Sequence, residues 1–289
     1  MIRVTEGAGG ATGIRDGTGW PALPAAPGLA WSACVRAGSE VVWEVRGDLA
    51  LPTASVGKLL LLLETARALE AGELAPGEPL TRTPADTVAD SGLWYRLAVD
   101  TLPAADIATL VGAVSDNLAT NVLLRRLGLA AVDALRARLG LVDTRLLDQV
   151  RGSRDPQVHA PTLSTGTARE LSLLAHRVAA SHAVSPSADA RVAGWLAANT
   201  DLSMVASAFG LDPLAHGPDD TLGGVLLWNK TGTDDGIRAD VGHVSTAAGH
   251  PAYAYAVCAR WDPAAGDLTA LVLDGMRGVG DALARHLAG

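Results

Sequence analysis

The chain has 289 residues, 48% of them hydrophobic, enough to bury a large core as one domain or two lobes. A net charge of −8 at pH 7 gives no cationic footprint for nucleic acid or an anionic membrane surface. The first twenty residues hold no apolar core of secretory type, and the longest aliphatic run, Leu59 to Leu63, is too short to span a bilayer, which sets the expectation of a cytoplasmic protein.

Residues 1–27, rich in Gly, Ala and Pro, read as an irregular lead-in. LAWSACVRAG and EVVWEVRGD, which meet at Gly38 and Ser39, predict a hairpin of two strands. A helix is expected from Ser55 to Ala71, with Gly72 suited to follow its C-terminus. Before Glu64 it is apolar on almost every face, the mark of a buried helix. Helices follow at 103–114, 117–127, 130–139, 167–180 and around 187–199. Between them, residues 143–166 form a long polar stretch without a period, and loops of that length in compact domains usually carry function. Strand signals return in GGVLLWNKTG, IRADVGHVS and AYAYAVCARW, before a last helix over 268–287. Strands at both ends with helices between them predict an α+β fold, its antiparallel sheet built from the two chain ends. The expected division is an α/β lobe of residues 28–54 with 185–289, and an all-helical lobe over 55–184. Cys34 and Cys258 lie in strand-like stretches and read as buried thiols. With no CxxC and no HExxH, no metal and no other cofactor is expected.

Positive charge is carried by arginine at 21 positions and by lysine at only two, Lys58 and Lys230. Lysine loses its proton when desolvated, whereas a guanidinium effectively does not. A site that needs a neutral amine as base, or a compact ammonium as proton relay, must therefore keep lysine. Each lysine sits in a short motif. SVGK places Ser55 three residues before Lys58 at a helix start, where i and i+3 share a face. VSDN puts Ser115, Asp116 and Asn117 in the break between two helices, and NKTG ends an apolar strand at Lys230, Thr231 and Gly232. Singly, each has an ordinary reading as a helix cap or a strand end. In this order and in these structural contexts, they specify one chemistry.

With these motifs, and with VADSGLWYRL before the second and KTGTDDGIRADVGHV around the third, residues 28–286 resemble the class A β-lactamase-like serine hydrolases. The resemblance implies a five-stranded antiparallel sheet flanked by helices and a site at the interface of the two lobes. It implies Ser55 as nucleophile and Lys58 as its base or proton relay. Ser115 would pass a proton to the leaving nitrogen, and Asn117 would bind a substrate amide. Lys230 and Thr231 would recognise a carboxylate on a small-molecule substrate. Backbone N–H groups of Ser55 and Thr233 would form the oxyanion hole, with Gly232 between Thr231 and Thr233. Arg238 is expected either to pair with the same carboxylate or to form a structural ion pair in the sheet. Trp94 and Tyr95 are expected either at the cleft wall or in the core.

One part of the resemblance fails. The family's loop carries a glutamate that activates water for deacylation, and LLDQVRGSRDPQVHAPTLSTG contains none; alignment on LLDQ puts Val150 or Arg151 there. Arginine is no general base, and Asp148, Asp155 and His159 read as solvated loop residues rather than replacements. The expectation is a hydrolase forming an acyl-serine on a lactam, amide or ester, with slow or altered deacylation. Two alternatives stand beside it: a penicillin-binding-type peptidase or biosynthetic acyltransferase, and a binder or sensor that is acylated once.

Overall fold

Two strands from the start of the chain and three from its end form one antiparallel sheet in the computed structural model, which describes residues 19–216 and 224–289. The chain enters through β1 (Ala30–Ala37), β2 (Glu40–Val45) and a short β3 (Leu51–Pro52). Helix α1 (Lys58–Glu70) follows, then β4 (Pro79–Thr81) and β5 (Thr101–Pro103), which pair only with each other. Next come α2 (Ala104–Val114), α3 (Asn117–Leu127) and α4 (Leu129–Arg138). Two short strands, β6 (Arg145–Leu146) and β7 (Ser164–Gly166), precede α5 (Ala168–Ala179) and α6 (Pro186–Ala197). Strands β8 (Val225–Asp234), β9 (Ile237–Thr246) and β10 (Ala252–Arg260) lead to α7 (Thr269–Ala288). The sheet order is β2-β1-β10-β9-β8, so β8, which carries the NKTG motif, is an edge strand.

The sheet separates two apolar layers. On one face α7 and the turn Val205–Phe209 pack on Trp31, Val35, Leu227, Val244, Tyr255 and Val257. On the other, Cys34, Trp228, Val241, Ala256 and Cys258 join a core that runs through α1 to α6. Both cysteines are buried free thiols. Helix α1 lies at the centre of this second layer. Lys58 through Ala66 are all buried, as expected for a helix apolar around its circumference. Helix α5, which falls within the 55–184 span, packs on β1, β9 and β10, so the sheet and the helical part meet there without a sharp boundary.

Side-chain caps start three of the helices. Thr167 and Ser185 cap α5 and α6 through their hydroxyls, and Asp116 caps α3 by accepting from Ala119 N–H. The long polar stretch is not free chain: β6 and β7 pair with one another, and β7 also pairs with β3 next to the SVGK motif. Two expectations need adjustment. Ser55 lies in a 3-10 turn, Ala54–Gly57, and the α-helix proper starts at Lys58. Of the expected lead-in, residues 1–18 lie outside the described residues. Trp20 stacks on Trp43 and on the His286 ring.

Candidate active site

The 3-10 turn, the α2–α3 junction and the β8 edge converge on a cleft of about 660 Å3. Ser55, Ser115, Asn117, Thr231 and Thr233 line it, with Val150, Arg151, Gly152 and Arg154 from the polar loop. Three of the five non-glycine residues with positive φ among the described residues also line it, Ala54 at +46°, Asp90 at +87° and Ser115 at +52°. Backbone strain is thus concentrated at the cleft, as it is at functional sites generally.

Ser115 ends α2 in a left-handed conformation that turns its hydroxyl between the two lysines. Lys230 Nζ donates to Ser115 Oγ at 3.0 Å and to Thr231 O at 2.8 Å. Lys58 Nζ lies 3.2 Å from the same hydroxyl, and donates to Ser115 O at 2.6 Å and to Asn117 Oδ1 at 2.8 Å. Both lysines have no exposed surface. Burial and the neighbouring Lys230 charge hold the Lys58 amine well below the ordinary lysine range, against the pull of Asp116 and Asp90. Burial likewise lowers Lys230, to about 8, while Asp201 and Asp240 act in the other direction.

Asp116 anchors the junction. Besides capping α3 it accepts the N–H groups of Leu93 and Trp94 at 2.7 and 2.8 Å, tying the VADSGLWYRL segment to the SDN motif. Gly92 makes that approach possible: its φ is +116°, and a Cβ there would lie 2.3 Å from Asp116 Cγ. Gly232 does the same for β8. A Cβ at this position would lie 2.1 Å from Thr53 O and 3.1 Å from Ser55 N, so the edge strand runs against the nucleophile turn.

Not every residue singled out in the sequence reaches the cleft. Trp94 is fully buried, its indole N–H bonded to Val99 O. Tyr95 lines a separate depression with Arg82 and Thr83, and its hydroxyl accepts from Arg96. The cleft wall on this side is Val88 to Ser91 instead, and Asn117 Nδ2 donates to Ala89 O within it. Arg238 neither lines the cleft nor forms an ion pair among the described residues. It donates to Asp234 O and Ile237 O at the hairpin end and lies 5.7 Å over the Trp261 ring. Of the loop candidates, Asp148 accepts from Arg151 and Arg154; Asp155 and His159 do not line the cleft. No hydrogen bond joins Ser55 Oγ to Lys58 among the described residues.

The structure adds residues the sequence reading passed over. Beneath Lys230, Asn199 Nδ2 donates to Asn229 Oδ1, and Asn229 Nδ2 donates to the fully buried Asp240 at 3.0 Å. Asp240 also accepts Val205 N–H and Tyr255 OH. Its burial pushes the carboxyl up to about 7 against those donors. The sequence signal for these residues is weak: Asn229 and Asp240 are polar residues inside largely apolar strands.

The family model of the β-lactamase enzyme family matches residues 28–273. The chain belongs to that family. Among solved structures, the β-lactamase from Sphaerobacter thermophilus superposes with a TM-score of 0.76 at 24% identity, over 90% of this chain and 92% of that one. The penicillin-binding protein PBP-A gives 0.71 at 21% identity, over 90% and 92%. A β-lactamase from Xanthomonas campestris gives 0.73 at 19% identity, over 91% and 93%. At these identities the likeness establishes the fold, a β-lactamase α+β fold with its five-stranded sheet. No curated protein matches the sequence.

Proposed function

We propose that this β-lactamase-family protein is a serine hydrolase that forms an acyl-enzyme at Ser55 on a lactam, amide or ester. The observation that carries the reading is the Ser115 hydroxyl held between two fully buried lysines beside a cleft that Ser55 lines. A neutral Lys58 keeps two N–H donors for Ser115 O and Asn117 Oδ1 and has one lone pair. That lone pair takes the Ser55 proton as Oγ bonds to the substrate carbonyl. The resting geometry leaves Ser55 Oγ unengaged by Lys58, and such contacts commonly tighten only when substrate is bound. Collapse of the tetrahedral species breaks the C–N or C–O bond. Ser115 then protonates the leaving atom and regains its proton from the adjacent amines.

Ser55 N–H and Thr233 N–H are the donors for the developing oxyanion, and Gly232 lets β8 approach the turn that carries Ser55. Asn117 orients the substrate amide. Lys230 and Thr231 offer positive charge and a hydroxyl to an anionic group, so the substrate is a small molecule bearing a carboxylate. Arg238, turned to the hairpin, takes no part.

Deacylation lacks an evident base. Asp148 is the carboxylate of the loop nearest the expected glutamate position; burial alone would raise its pKa, but the arginines and Gln149 N–H outweigh burial and hold it below the ordinary range. It is ion-paired and spent. The loop contributes Val150, Arg151, Gly152 and Arg154 to the cleft. This favours a long-lived acyl-enzyme, which fits a hydrolase with slow deacylation and equally the two alternatives, a penicillin-binding-type peptidase or acyltransferase and a sensor that is acylated once. Intact-protein mass spectrometry after a slight excess of benzylpenicillin separates them. A persistent adduct, absent in Ser55→Ala, is expected. An adduct that clears within seconds as hydrolysed drug accumulates would reveal a deacylation base. No adduct and no hydrolysis would overturn the acyl-serine reading for this drug class.

A further inference from the structure

The polar loop turns an unusual charge towards the cleft. Arg151 binds Asp148 through Nε and Nη2 at 2.8 and 3.0 Å, and Arg154 binds it through Nη1 at 2.7 Å. Two guanidiniums share one carboxylate, so the cluster carries a net charge of +1. Both arginines line the cleft, with side chains 25% and 21% exposed. Arg151 Nη1 and Arg154 Nε have no partner among the described residues, although the loop around them is well tied. Arg154 also donates to Ala160 O at 3.0 Å, and Asn121 clips both backbone groups of Val150. The free donors are therefore held in place in advance, which spares a ligand the entropy of ordering them.

The side of the cleft matters. Leaving-group chemistry belongs to Ser115 and Lys230, next to β8, where Asp201 and Asp234 line the wall. The arginines come instead from the loop that Asn121 holds at Val150, one helical turn along α3 from Asn117, the residue assigned above to the substrate amide. Asp90, the remaining carboxylate of the cleft lining, lies within Coulombic reach of Lys58 and forms no ion pair with either arginine among the described residues.

Resting on the acyl-serine reading above, we propose that Arg151 and Arg154 form an anion subsite for the acyl half of the substrate. The favoured acyl group carries a carboxylate of its own, near the carbonyl that Ser55 attacks. A guanidinium with free donors meets a carboxylate with a charge-assisted contact that a neutral acyl group cannot make.

A matched pair of probes tests this. Carbenicillin and benzylpenicillin differ only in a carboxylate on the acyl side chain. The second-order rate of Ser55 labelling, read by intact mass, is expected to be about tenfold higher for carbenicillin, the effect of one such contact. The ratio should fall towards one in Arg151→Gln and Arg154→Gln, be partly kept in Arg151→Lys, and shrink as sodium chloride is raised. The salt series on the unaltered protein serves even where a substitution prevents folding. A wild-type ratio of one or below, or a ratio unchanged in both Gln variants, overturns the subsite and leaves the arginines as a clasp for the loop. Labelling by both drugs at equal rates would leave the acyl-serine reading standing, whereas labelling by neither would overturn that reading for this drug class and the subsite with it.

Discussion

Lys58 and Lys230 meet through a single hydroxyl, and the chemistry of each depends on being lysine. Lys58→Arg keeps a basic side chain but places a group that stays protonated where the proposed mechanism needs a neutral amine. Acylation should fall by about 10²- to 10⁴-fold, the usual worth of general base catalysis, with the melting temperature as a check on folding. Labelling at the wild-type rate would remove Lys58 from the base role. Gly232→Ala tests the neighbouring strand. Its Cβ would lie 2.1 Å from Thr53 O, a backbone atom that no rotamer change can move, so β8 must shift away from Ser55 N. Labelling should slow, and by more than the unfolding midpoint changes. These two positions stand out in the sequence through the residue type itself: one of only two lysines, and the glycine of the NKTG motif.

The loop that closes the cleft depends on α3 more than on its own composition. Asn121 donates to Val150 O at 3.0 Å and to Asp86 O at 3.2 Å, and accepts Val150 N–H at 2.9 Å. Asn121→Ala leaves these buried backbone groups unpaired, and is expected to destabilise the protein by about 1–3 kcal/mol in urea unfolding. The carbenicillin preference should decline as Arg151 loses its fixed position; an unchanged stability would mean that the loop is held by the Asp148 clasp alone. Sequence pattern located the elements well, since periodicity reports which residues share a face. It did not report where long side chains end. Arg238 pairs across from Thr233 in the β8–β9 ladder, yet its guanidinium folds back on the hairpin carbonyls. Trp94 and Tyr95 follow Asp116-bound backbone, and that tether sends one ring into the core and the other to a separate depression. That the loop holds no glutamate is read directly from the sequence; the doubly paired Asp148 was not legible, because ion pairing depends on the path of the loop.

Across the whole molecule, β9 carries a buried Asp240 and a half-buried His243 on opposite faces of the sheet, with opposite effects on stability. Asp240 faces the α7 layer, and burial raises its carboxyl from 3.8 to about 7. The unfolded chain ionises first, so the stability this group contributes is full below pH 4 and is lost as pH rises towards 7. His243 stacks on Trp228 on the other face, and burial, with His176 and His250 nearby, lowers it from 6.5 to about 4. The unfolded chain protonates first there, so stability is full above pH 6.5 and is lost as pH falls towards 4. Asp240→Asn should therefore gain on the wild type as pH rises from 4 to 7, by about 1.4 kcal/mol per unit at most. His243→Phe keeps a ring against Trp228 and should gain in the reverse direction, as pH falls from 6.5 to 4. Urea unfolding of the three proteins at several pH values measures both gaps. Parallel curves would mean that water or a rearranged partner relieves the burial of these groups. Diverging curves would show that the strand beneath Lys230 carries an acid close to its titration point at neutral pH. Because Asp240 helps to hold Lys230 up at about 8, Asp240→Asn should also lower the pH at which Lys230 loses its proton, shifting the alkaline limb of Ser55 labelling to lower pH.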